Sequence, residues 1–317
     1  MPTELDRLVG IGEPTLDNDQ VCELAGADRE VADRLWRALG FPDVPEGELA
    51  FTEQDARALR LATEGLEELK GEEHERALEL LVHEARIISA NLANLSEVEL
   101  ESIGALAGLG LRRHLLADAL ERGLENSDFG WLILYGLRRQ LASALQRNAP
   151  SDGKDATRST MAVGFIDLVG FTGLSHRLEA TDLGQLLGRF ESLVFDIVAE
   201  SGGRVVKLIG DEAMLVCPDA AQAVRAALVI LRQTSAASLP SARAGIAAGE
   251  LLVQGGDYFG DPVNLASRIV DRAPPGEVIV DERVASAEAD GFELEPLPET
   301  SLKGIGAVPL WRARVRP

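Results

Sequence analysis

At residues 148–158 the chain changes its hydrophobic period, and that change constrains the fold class more than any other feature. The segment Asn-Ala-Pro-Ser-Asp-Gly-Lys-Asp-Ala-Thr-Arg is rich in turn formers and carries no apolar period, as a linker does. Before it the apolar residues recur three and four apart. Leu80, Leu81, Ile87 and Ile88 form one such stripe, and Trp131, Leu134, Tyr135, Leu137, Leu141 and Leu145 form another. That spacing predicts amphipathic helices. The second stripe ends at the linker, where a helix is placed to pass movement into the second half of the chain.

After the linker, short apolar runs alternate with helical stretches. Met161–Leu168 reads as a buried strand, and the spacing from Leu183 to Val198 as a helix that Gly202-Gly203 stops. Arg204–Ile209 and Ala213–Val216 read as two strands around a tight turn at Gly210-Asp211. A helix around Val224–Leu231 comes next, with strands at Ala242–Ala248, Glu277–Val280 and Trp311–Val315. The order strand-helix-strand-strand-helix-strand is that of a ferredoxin-like α+β sandwich. The expected organisation is therefore an all-α domain over 1–150 and an α+β βαββαβ domain over 155–317.

Charge narrows the partners. The chain of 317 residues has a formal charge of −21, of which −14 falls in residues 1–150. Such a field repels phosphate backbones and anionic lipid surfaces, so nucleic-acid polymers and a polybasic membrane role are disfavoured. No run of eighteen uncharged residues predicts a transmembrane segment, and Met-Pro-Thr-Glu-Leu-Asp lacks the basic start and apolar core of a signal peptide. Cys22 and Cys217 fall one in each half, too few for a disulfide framework or metal knuckle. A reducing cytoplasm is the expected location.

Two carboxylates end apolar strands: Asp167 in Phe-Ile-Asp-Leu-Val-Gly-Phe-Thr and Asp211 in Lys-Leu-Ile-Gly-Asp. A carboxylate in such a place is costly unless something positive meets it. Two converging from adjacent strands make a hard oxygen site suited to Mg²⁺ or Mn²⁺ shared with phosphates. The Gly170-Phe171-Thr172 turn leads into a helix whose free N–H groups favour phosphate oxygens. On the bland reading Asp167 caps that helix and Asp211 is a turn residue. Lys207, mid-strand, is either a snorkelling edge residue or a ligand group. Asp257 in Gly-Gly-Asp-Tyr-Phe-Gly is either a turn former or a partner. Asn264 and Arg268, four apart on a helix starting near Pro262, share a face that is either solvated or functional.

Four segments, Phe165–Thr172, Gly203–Met214, Gly256–Arg268 and Leu302-Lys303-Gly304, together resemble the motifs of class III nucleotidyl cyclases, in order and spacing. The resemblance covers about half the chain. It implies that Asp167 and Asp211, with the Leu168 carbonyl, bind two divalent ions, Mg²⁺ or Mn²⁺. It implies that Lys207 and Asp257 read a purine, Asn264 orients the ribose, Arg268 neutralises charge at the transferred phosphorus, and Lys303 contacts the terminal phosphates. Gly170, Phe171 and Thr172 fall in the phosphate-binding turn. Lys with Asp at the purine positions favours ATP over GTP, since guanylyl-specific relatives carry Glu and Cys or similar there. The implied enzyme is an adenylate cyclase working as a head-to-tail homodimer, with sites at the catalytic-domain interface. A guanylate cyclase and a catalytically silent nucleotide sensor are the alternatives.

The first half resembles, less specifically, the helical regulatory domain that precedes the cyclase domain in some actinobacterial enzymes. Residues 15–60 also look faintly like a helix-turn-helix, but a DNA reader needs a basic face and the local charge is −14. A small regulatory ligand, a lipid, or pH sensed through His74, His83, His114 or His176 are the inputs open to this half.

Overall fold

The computed structural model describes residues 13–108, 118, 121–147, 158–287 and 292–316. The chain falls into two compact units, residues 1–149 and 150–317. Most of the expected linker lies outside the described residues, as does His114; Arg158 opens the first strand.

The first unit is helical: α1 (Asn18–Ala25), α2 (Arg29–Ala38), α3 (Glu53–Thr63), the long α4 (Glu72–Gly108) and α5 (Asp128–Arg147). Local chemistry sets the starts. Asp17 and Gln20 form a capping box on α1, Asp28 accepts from Glu30 and Val31 at the head of α2, and Thr52 and Asp55 form a second box on α3. Val21, Ala32, Leu35, Trp36, Leu59 and Leu78 are buried together as this unit's core. Further along, the stripes are open: Leu92 and Val98 on α4, and Trp131, Leu134, Leu137 and Leu141 on α5, are exposed.

The second unit is a sheet with helices on both faces. Its first elements are β1 (Arg158–Leu168), α6 (Phe171–Ser175), α7 (Ala180–Glu200), β2 (Arg204–Ile209), β3 (Glu212–Cys217), α8 (Ala220–Ala236) and β4 (Ala242–Gln254). The spatial order β2-β3-β1-β4, antiparallel throughout, is the ferredoxin-like arrangement. The sheet then grows beyond it. β5 (Asp257–Phe259) folds back on β4, α9 (Asp261–Arg272) crosses, and β6 (Val278–Asp281) pairs parallel to β4. After α10 (Glu282–Ser286), β7 (Phe292–Pro296) lies at the far edge of the sheet; β8 (Thr300–Leu302) and β9 (Gly306–Val308) make a separate hairpin. β10 (Leu310–Val315) joins β6 to β7.

β1 is buried on both sides, which is why it reads as a continuous apolar run. Ala162, Ile166 and Leu168 pack with α7 and α8; Val163 and Phe165 pack on the opposite face with Ala266 and Ile269 of α9. Gly245 permits that second contact, since a Cβ there would lie 2.3 Å from the Val270 amide nitrogen and 2.6 Å from the Ala266 carbonyl oxygen. Any larger residue would push α9 off the sheet. Among the described residues no helix is long and apolar enough to cross a membrane.

Candidate active site

Asp167 stands on β1 opposite Glu212 of β3 and Arg243 of β4. Asp211 occupies the β2–β3 turn, which Gly210 closes with φ +64°. The Leu168 amide donates to the Asp211 carbonyl at 3.2 Å, so the strand end and the turn are locked side by side. Burial pushes the Asp211 carboxyl up from its usual range, and the Asp167 carboxylate adds to the shift while Arg243 opposes it. Glu212 is pushed up to about 7, first by burial and then by the charges of Asp167, Asp271 and Asp211. Three carboxylates thus crowd one half-buried edge.

Arg243 is the counter-charge there. Its Nε donates to Asp167 Oδ2 at 2.8 Å, its Nη2 lies 2.6 Å from the same oxygen, and its Nη1 donates to the Asp271 carbonyl at 3.0 Å. One guanidinium against three carboxylates leaves a surplus that a divalent cation would relieve. The donors are hard oxygens, as Mg²⁺ or Mn²⁺ requires. Among the described residues no three His, Cys, Asp or Glu side chains are grouped to hold a metal. Asp167 and Asp211 thus offer an open set of hard oxygen donors, not a closed protein cage.

A second pair forms elsewhere on the unit. Lys207, on edge strand β2, makes an ion pair with Asp257 through Nζ and Oδ2. Asp257 is therefore no loop residue: it opens β5, and its other oxygen accepts from the Tyr258 amide at 2.9 Å. Arg204 holds the two elements together. Its Nη2 donates to the Gly256 carbonyl at 3.0 Å, and its guanidinium sits 5.3 Å from the Tyr258 ring centroid.

Asn264 and Arg268 lie on α9 as expected, both exposed, the helix opening at Asp261-Pro262. Arg268 reaches Asp271 at 3.5 Å. Lys303 sits exposed in the β8–β9 turn. Gly170, at φ +76°, precedes α6; Phe171 is buried in the core and Thr172 is exposed, so from Phe171 only the backbone could face a ligand. Among the described residues, no hydrogen bond or ion pair joins the Asp167–Asp211 edge to the Lys207–Asp257 pair.

Residues 154–312 match the family model described as the adenylate and guanylate cyclase catalytic domain. The chain belongs to this family. An adenylate cyclase of Streptomyces coelicolor is 34% identical over 92% of this chain and 84% of its own length. A protein of Mycobacterium tuberculosis named pH-sensitive adenylate cyclase is 31% identical over 97% of this chain and 80% of its own length. Among solved structures, the catalytic core of a rhodopsin-guanylyl cyclase with converted specificity, bound to ATPαS, aligns at 26% identity. Its TM-score is 0.47, over 50% of this chain and 97% of that one. The cyclase family match begins at residue 154, and the two relatives, aligned over 92% and 97% of this chain, span most of the helical unit as well.

Sequence reasoning missed Arg243 and Arg204. A lone arginine in an apolar strand reads as a snorkelling side chain, and nothing in its spacing announces a carboxylate partner.

Proposed function

We propose that the chain is an adenylate cyclase that converts ATP to 3′,5′-cyclic AMP and pyrophosphate by in-line attack of the ribose 3′ oxygen on the α-phosphorus. The observation that carries this reading is the Lys207–Asp257 pair. Adenine presents an amino group that donates and a ring nitrogen that accepts; Asp257 accepts the first and Lys207 donates to the second. Guanine would set its carbonyl oxygen against the Asp257 carboxylate, two acceptors facing each other, which such a site rejects.

Asn264 orients the ribose. Arg268 meets the charge that develops on the transferred phosphorus, and Lys303 meets the terminal phosphates. The turn at Gly170, Phe171 and Thr172 offers amide groups to phosphate oxygens. Asp167, Asp211 and the Leu168 carbonyl would hold two divalent ions, Mg²⁺ or Mn²⁺. When bound, these ions would polarise the attacking oxygen and stabilise the departing pyrophosphate. Arg243 orients Asp167 and ties it to the end of α9. Membership of the cyclase family supports a homodimer whose sites take the metal edge from one copy and Lys207, Asp257, Asn264, Arg268 and Lys303 from the other.

The helical unit is the proposed regulator, acting through α5, and the likeness to a relative named pH-sensitive makes pH one input to test. The cytoplasm is the proposed location, and both cysteines are buried and unpaired.

Purified full-length protein incubated with ATP or GTP and Mn²⁺, with the products separated, tests the reaction. Cyclic AMP from ATP is expected, at least about tenfold over any cyclic GTP. A preference for GTP would make it a guanylate cyclase, and no product from either would make it a silent nucleotide sensor. Comparing residues 155–317 with the full chain from pH 5.5 to 8 tests regulation, and identical activity throughout would remove it.

A further inference from the structure

A cavity of about 320 Å³ lies in the helical unit, and its lining includes Trp36, Phe41 and Phe51 together with Asp33, Asp43 and Asp55. The rings are tilted against one another rather than stacked. Trp36 stands 6.0 Å from Phe41 at 48° and 5.4 Å from Phe51 at 31°, centroid to centroid.

Each carboxylate already has one oxygen committed. Asp33 accepts from Asn18 Nδ2 at 2.9 Å, Asp55 from the Thr52 amide at 2.7 Å, and Asp43 lies 3.3 Å from Arg37 Nε. Arg29 also approaches Asp33, at 4.0 Å, though it meets Asp19 as well. The three acids contribute charge to the lining without converging, and among the described residues no such group is arranged to hold a metal. A primary ammonium, which needs several free acceptors for its N–H groups, is poorly served by the same arrangement.

Three aromatic side chains with carboxylates nearby suit a different cation, one whose charge is spread over methyl groups and which has no N–H to satisfy. We infer that this cavity binds an organic cation of the quaternary-ammonium class. The surplus of −14 in residues 1–150 raises the local concentration of any cation and draws it to this unit rather than the catalytic one. The inference does not depend on the cyclase reaction, because binding is read directly.

Isothermal titration of the full chain with choline, and with its neutral carbon isostere 3,3-dimethylbutan-1-ol, tests it. Choline should saturate one site per chain with a Kd of about 1 mM or tighter, and the isostere should bind at least about tenfold more weakly. Phe41 and Asp43 are exposed, so Phe41→Ala and Asp43→Asn leave the core in place. Each should weaken choline at least about threefold with unchanged thermal unfolding. Absence of saturable choline binding, equal binding of the isostere, or variants that bind as well as the native chain would each overturn the assignment.

Discussion

The two units use their polar residues differently. In the sheet unit, charged side chains on the strands meet partners across the sheet: Lys207 with Asp257, Asp167 with Arg243, and Arg312 with Glu277 and Glu295. In the helical unit, the aspartates chiefly cap helices or pair at the surface, and the unspent chemistry is apolar, in the exposed stripes of α4 and α5 and in the ring-lined cavity beside Trp36. The contrast teaches where function is written. Catalysis needs charges held at strand ends, where they are expensive and therefore conspicuous. Recognition by a helical bundle uses apolar spacing, which looks the same as core packing.

If that contrast holds, substitutions of equal size should separate cleanly between the units. The largest effect is expected at the metal edge, where Asp167→Asn or Asp211→Asn should cut cyclic AMP formation by about 10³-fold or more with circular dichroism unchanged. Turnover within tenfold of native would break the metal assignment. Arg268→Ala should cost about 10²–10³ in kcat with a smaller change in KM, as loss of a donor used in the transition state does. Replacing Lys207 by Glu together with Asp257 by Cys should lower kcat/KM for ATP by about 10²-fold and raise that for GTP. Unchanged selectivity would remove the purine-reading role.

In the helical unit the same logic predicts a stability effect rather than a catalytic one. Trp36→Ala should destabilise that unit by about 3–5 kcal/mol, seen as an earlier unfolding step in calorimetry, while the sheet unit's transition stays in place. The smallest effect is chemical. Burial pushes the Cys217 thiol up to about 12 and raises the Cys22 thiol, helped there by the Asp33 carboxylate. An acid raised in this way stays protonated until the pH passes its new value, so neither thiol should alkylate at pH 8 until the chain is denatured. Rapid labelling of the native protein would show that one of these cores opens.

How much of this could be read from the sequence also divides by unit. β2 is legible residue for residue, and α7 and α8 emerge from their apolar spacing. β1 and β4 are legible in their buried middles, but β4 runs on to Gln254 past Gly249, where the expected strand stopped at Ala248. The hairpin β8–β9 and strand β7 were not legible, because Phe-Glu-Leu-Glu-Pro and its neighbours are half polar and short. At the site, the strand-end aspartates and Lys207 were conspicuous as charges beside or within apolar runs, whereas Asp257, in a glycine-rich turn, was paired with Lys207 only through the resemblance to the cyclase motifs. Arg204, Arg243 and Glu212 were not conspicuous, since their partners lie 52 or 76 residues away or across a strand, and only pairing brings them together. For α5 the helix itself was legible, while nothing in its spacing says what the exposed Trp131 and Leu137 meet.

The central claim is that one complete site needs two chains, and complementation tests it most directly. Full-length Asp167→Ala and Arg268→Ala proteins, each inactive alone, should regain about one quarter of native activity when mixed in equal amounts and allowed to exchange. Half of the dimers are then mixed, and each holds one intact site of two. A mixture as inactive as its components, with exchange shown by a tagged chain, would place the whole site within a single chain and contradict the account.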